Sequence, residues 1–295
     1  MLVLVICSRE ELGRDVFAAI LSAIGIAGCD ITNKVLLSKW RLPIKQFIPF
    51  LFIILIFVSA LVIPFGFRLD TTLAFSAKYV ILFVLMIASA VIWNIFFYRS
   101  MQKETLHEFE LIILMSPLVT VLLAGIFLPT ERNLHIFIAG IVSTLALFLT
   151  RIKKHHLQFS KAASGAFVAV VFIAVEAVIL KELLAIYSPA VLYFVRVVII
   201  SLVMVLIYKP TAGAIKGKEW LVLVISAMFG VLQMVFRFFA YWKIGVVETT
   251  MILLLGPVLT YIASYFYFRE KKNFVRDALA AAVVIVAIVY VNIVK

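Results

Sequence analysis

The 295-residue chain is 65% hydrophobic and only 14% charged, with a mean hydropathy of +1.20. Ordinary soluble domains carry about 25% charged residues, so this chain has no water-compatible surface to display and must use the bilayer as its solvent. That excludes a soluble enzyme, a disordered protein and, despite the net charge of +12, a nucleic-acid binder.

A spanning helix needs about 20 mostly apolar residues. Runs bounded by charges, Pro and Gly predict ten, at 16–37, 47–65, 77–98, 106–128, 134–150, 162–184, 189–208, 219–242, 247–268 and 275–294. The opening Leu2–Cys7 run is too short to span and lacks the basic flank of a signal peptide, so it reads as an interfacial segment. Every loop is short, which makes successive helices up-down neighbours. The most polar linker, Arg151 to Lys161, falls near mid-chain and reads as a solvated loop facing lipid headgroups. Cys7 and Cys29 offer neither a disulfide framework nor a metal cluster.

The two halves repeat. A shift of 140 positions places Lys103 on Lys243, Glu108 on Glu248, Pro117 on Pro257 and Thr120 on Thr260, so that Ser116-Pro-Leu-Val-Thr120 lies on Gly256-Pro-Val-Leu-Thr260. A shift of 147 sets Lys34 on Lys181, and one of 139 sets Glu131 on Glu270. The expected organisation is a first five-helix repeat over 1–151, a basic linker at 152–160 and a second repeat over 161–295. Five spans per half is odd, so the halves insert with opposite orientation. Such inverted repeats build secondary transporters with a central site. Sixteen Lys and Arg fall on the odd-numbered loops and eight on the opposite side, which by the positive-inside rule places both termini outside.

Charges inside spans are costly and normally face a partner or a wet cavity. Asp30 and Glu176 each lie about 12 Å from a helix end, close to the midplane. Lys34 follows Asp30 by four residues, so Asp30 forms either an intrahelical pair or part of a cavity. Glu176 has no local partner, because Lys181 is turned about 140° away. It must bond across the bundle, bind a cation or stay protonated. Protonation near neutral pH would make it the main ionisable group of the cavity, with Asp30 in support. Arg196 lies near its helix end and either snorkels or faces inward. Gln233 and Arg237 stand one turn apart, and the 140 shift places Trp93 and Phe97 opposite them, with Asn94 alongside. Pro117 and Pro257 interrupt corresponding helices, a pointer to a transport site. Glu108 and Glu248 read as helix-capping residues.

Gly213-Ala-Ile-Lys-Gly-Lys-Glu219 is one residue short of a phosphate-binding loop and ends in Glu, so no ATP site is expected. No nucleophile elbow is present, and the histidines combine with no metal-ligand spacing. Neither catalytic residues, a metal nor a cofactor is expected.

The chain resembles the drug/metabolite transporter superfamily in its EamA-type ten-helix form. The resemblance rests on the five-plus-five duplication, on Lys34 and Lys181 late in spans one and six, and on Ser-Pro-Leu and Gly-Pro-Val in spans four and nine. The acidic–basic turns Thr130-Glu131-Arg132 and Arg269-Glu270-Lys271 also match, where the family writes Gly-Glu-Arg, and Arg196 has a counterpart in the family's span-seven Arg. The resemblance implies an all-α, multi-pass inner-membrane exporter or exchanger of small metabolites, with both termini cytoplasmic, against the charge count. The function expected is gradient- or exchange-driven transport of a small polar solute such as an amino acid, with protons or a counter-substrate as further partners. The alternatives are a lipid-carrier flippase and an integral membrane enzyme on a lipid-linked substrate.

Overall fold

The computed structural model describes residues 2–65, 70–103, 109, 112–151, 161–211, 215–260, 279, 282–287 and 290, with side chains from residue 16 onward except at 65, 71, 136, 147, 148, 150, 151 and 161–163. Among the described residues the chain is helical throughout, with no strand. The principal helices are α1 (Leu2–Lys34), α2 (Ile44–Ala60), α3 (Ala77–Lys103), α4 (Ser116–Phe127), α5 (Leu134–Arg151), α6 (Lys161–Leu183), α7 (Pro189–Tyr208), α8 (Gly217–Ile244) and α9 (Val246–Leu253). They occupy the first nine expected positions in order. The tenth position falls mostly outside the described residues, as do Glu108, the 152–160 linker and the Arg269-Glu270-Lys271 turn.

Four helical segments are long and apolar enough to cross a bilayer: Val16–Lys39, Ala77–Lys103, Pro189–Tyr208 and Gly217–Ile244. Shorter apolar helices lie at Ile44–Ala60, Ser116–Phe127, Phe137–Ala146 and Val246–Thr260. The outward faces are apolar: Phe57, Leu61, Leu206 and Leu221 are between 63% and 72% exposed. A surface of this kind is stable only against lipid, where the backbone must satisfy its own hydrogen bonds and helices do so internally. The chain is a polytopic membrane protein.

Helix ends follow local chemistry, with one correction to the sequence reading. Leu2–Cys7 is not a separate interfacial segment, because the backbone is continuously helical from Leu2 to Lys34 before a wider turn over Val35–Lys39. Glu248 lies in the first turn of α9 behind Gly245, where an acid suits the helix dipole. The Val247 N–H donates to Glu131 Oε2 at 2.8 Å, from the turn after α4. Gly245 has φ +93°, and a Cβ there would lie 2.8 Å from Glu131 Oε1, so only glycine suits this junction. Lys181 completes the corner, 3.7 Å from Glu131 Oε1 and donating to the Tyr241 carbonyl at 2.8 Å.

Contacts between loops sort by parity, as helices alternating in direction require. At one end, turns after even-numbered helices meet: Asp70 N–H donates to Ile186 O at 3.1 Å, and Lys78 pairs with Glu182 at 3.0 Å. At the other, Gln46 Nε2 donates to Thr211 Oγ1 at 2.8 Å, and Gln102 Nε2 to Leu42 O at 3.1 Å. Within the bundle α1 packs along α8 and α3 along α6, α2 meets α7, α4 meets α9, and α4–α6 is matched by α9–α1.

The α1–α8 seam is the tightest. Ser22 Oγ donates to the Gln233 carbonyl at 2.7 Å, and a Cβ on Gly25 would stand 2.6 Å from Gln233 N. Small residues let two backbones touch where hydrophobic attraction between helices is absent, since lipid tails are as apolar as leucine. Together with Ala19 and Ala23, both fully buried, they bring α1 close enough to set its polar residues against those of α8.

Candidate functional site

A cavity of about 220 Å³ opens between the helices of both halves. One water needs only ~15 Å³ on such a measure, so the space suits a small solute. Asp30 reaches it from α1, Trp93 and Asn94 from α3, Pro117 and Thr120 from α4. Glu176 comes from α6, Arg196 from α7, Gln233 and Arg237 from α8, Thr250 from α9, and Pro257 and Thr260 from the helical turns beyond it. The eight residues singled out from the sequence (Asp30, Trp93, Asn94, Pro117, Glu176, Gln233, Arg237 and Pro257) therefore share one wall system, although they are spread over more than 220 positions of the chain.

One side of this wall is an ion pair. Arg196 Nε donates to Glu176 Oε1 at 2.5 Å, with Arg196 2% and Glu176 3% exposed. Trp93 Nε1 donates to the other carboxylate oxygen, and the Arg196 guanidinium carbon stands 5.9 Å from the Trp93 ring centroid, within cation–π range. Of the alternatives open to Glu176, bonding across the bundle is the one the structure contains. Arg196 faces inward and does not snorkel. Both partners of Glu176 donate to it, so its two carboxyl oxygens are satisfied in place, and it holds α3, α6 and α7 together.

The opposite side is a polar cluster that the sequence reading missed. Ser226 Oγ donates to Asn33 Oδ1 at 2.6 Å, and Asn33 Nδ2 donates to Cys29 Sγ at 3.2 Å, tying α1 to α8 beside Asp30. Asn33 and Ser226 are neutral, short and isolated in apolar runs, so only their coincidence in space gives them weight. Asn94 is partly spent on its own helix, donating to the Ala90 carbonyl at 2.8 Å. Between the two sides stand aromatic rings in edge contact: Trp93 on Phe97 at 5.9 Å, Phe97 on Tyr98 at 5.3 Å and Phe97 on Phe109 at 5.0 Å.

The prolines mark breaks, but not at their own positions. The helical run is interrupted at Leu114–Met115 and again at Leu254, in each case starting three residues ahead of the proline. A proline ring clashes with the carbonyl four residues back and removes one donor from the ladder, which loosens the preceding turn. Ser116 therefore opens α4 with Pro117 in its first turn, where a missing N–H costs least.

Residues 160–293 match the family model of the EamA-like transporter family. No curated protein matches the chain. Among solved structures, one described as "Crystal structure of protein" aligns over 96% of this chain and 97% of its own, with a TM-score of 0.74 and 15% identity, which shows a shared fold.

Proposed function

From the match of residues 160–293 to the EamA-like transporter family we propose that this chain is a gradient- or exchange-driven transporter of a small polar metabolite such as an amino acid, exporting it across the cell (inner) membrane. The observation that carries the reading is the cavity. It gathers two carboxylates, two guanidinium groups and a tryptophan from helices of both halves, and interrupted helices border it. Charged groups kept in a membrane interior are expensive, and they are retained where a solute or ion passes. The solute occupies the space between the Glu176–Arg196–Trp93 wall and the α8 wall that carries Gln233 and Arg237, with Asp30 at its α1 side. Protons or a counter-substrate supply the driving force.

The architecture proposed is ten spans in two inverted five-helix repeats, 1–151 and 161–295, joined by the 152–160 linker. Exchanging the halves maps α1–α8 onto α6–α3, α4–α6 onto α9–α1, and leaves α2–α7 and α4–α9 as self-matched pairs. The breaks at Leu114 and Leu254 are 140 residues apart, the same shift that aligns the two prolines. A two-fold axis in the membrane plane accounts for both regularities. Reporter fusions at residue 295 and within 152–160 should report opposite sides of the membrane; a common side would reject the inverted repeat, and the same fusions read which face the termini occupy.

Transport itself is tested by counterflow. Purified protein is first screened against a metabolite library for ligands that raise its melting temperature, since a ligand at about a hundred times its Kd adds ~2.7 kcal/mol. Each stabilising solute is then loaded into proteoliposomes and its labelled form offered outside. Saturable uptake that needs the protein and the internal load is the expected result. A set of tight binders none of which exchanges would reject a transporter.

A further inference from the structure

Two guanidinium nitrogens of cavity-lining residues are buried without an acceptor. Arg196 spends its Nε on Glu176, but its Nη2, closed off from solvent, has no acceptor. Arg237 Nε is in the same condition on the α8 side. The two guanidinium groups also differ in charge balance. Arg196 has its countercharge in bonding contact, whereas among the described residues no carboxylate stands in ion-pair contact with Arg237. A cation half-buried in a membrane-embedded cavity, without a bonded anion, is held at a cost that a bound anion would relieve.

We propose that Arg237, with Gln233 one turn before it on the same face of α8, forms an oxyanion site that takes the carboxylate or phosphate group of the transported solute. The inference rests on the reading of this cavity as the transport site and deepens it by naming the charge the solute must carry. Both side chains line the cavity, and the four-residue spacing sets them on one helix face. The Gln233 amide adds a donor beside the guanidinium. Arg196 still has its Nη2 donor, but its charge is already balanced by Glu176 in bonding contact, so it adds little net attraction for an anion.

The test uses full-length protein in detergent and three amino acids of increasing size, glycine, leucine and phenylalanine. Each is offered as the free acid, as its amide and as its deaminated acid, with inorganic phosphate as a further probe. In the wild type, members bearing a carboxylate, or phosphate, should raise the melting temperature, and the amides should not. Arg237→Gln should weaken the apparent affinity of the stabilising acids by about ten- to a hundredfold, the worth of one hydrogen bond to a charged group, and Arg237→Lys should restore part of it. Without ligand, Arg237→Gln should melt at or above the wild-type temperature, since it removes a charge that has no bonded partner. Stabilisation by amides equal to that by acids, acids that stabilise Arg237→Gln as well as wild type, or no stabilisation by any acid would each overturn the oxyanion site. A lowered melting temperature of ligand-free Arg237→Gln would do the same, by assigning Arg237 to the scaffold. The transporter reading is judged separately, in counterflow with the same probes. An acid that binds through Arg237 but never exchanges rejects transport and leaves the site standing, and amides that exchange while acids do not reject the site and leave transport standing.

Discussion

Arg196→Gln should destabilise the protein by about 3–5 kcal/mol, because it leaves the carboxyl group of Glu176, 3% exposed, without its guanidinium partner. Glu176→Gln should cost a comparable amount by stranding Arg196, whose Nη2 already lacks an acceptor. The asymmetry of buried pairs makes the double variant informative. Arg196→Leu with Glu176→Leu removes both charges and should recover most of the lost stability, since two apolar side chains carry no desolvation penalty. Transport should stay absent in the double variant, because the pair also sets Trp93 and the positions of α3, α6 and α7 around the cavity. Unfolding of the purified variants in detergent, followed by heat or denaturant, measures the first effect and counterflow the second. An Arg196→Gln protein as stable as wild type would show that the ion pair does not hold this wall.

Gly25→Leu should be the most damaging single change at a helix–helix seam. The added Cβ would fall 2.6 Å from Gln233 N and 2.7 Å from its Cα, and backbone atoms cannot rotate out of the way. Overpacking of a tight core costs about 1–3 kcal/mol where side chains can adjust. Here α1 must leave α8, which also separates Asn33 from Ser226, bonded at 2.6 Å. The expected outcome is a sharp fall in the yield of folded protein and in melting temperature. Gly125→Ala is the matched control, since nothing lies within 4 Å of the Cβ it adds. A better helix former at that position should leave stability unchanged or raise it by ~0.5–1 kcal/mol. Equal behaviour of the two variants would mean that the α1–α8 contact is not what holds the halves together.

Composition and hydrophobic run length were enough to read a helical, polytopic membrane protein, because each spanning segment must be apolar over its own length and satisfy its own backbone. The residues lining the cavity were legible for the same reason: Asp30, Glu176, Gln233 and Arg237 stand out as polar groups in apolar runs, where the membrane makes every such group conspicuous, and Pro117 and Pro257 as breakers inside them. Pairing was not legible. Glu176 and Arg196 are 20 residues apart on different helices, Asn33 and Ser226 are 193 apart, and Glu131 meets Val247 across 116 positions. No periodicity within one helix encodes which face of another it will meet. That choice is made by close packing, as when Gly25 lets α1 lie on α8, and by the cost of leaving a buried charge or N–H group without a partner. Tertiary structure therefore decided that Arg196 pairs with Glu176 while Arg237 keeps a donor free, and that Glu131 reaches the start of α9.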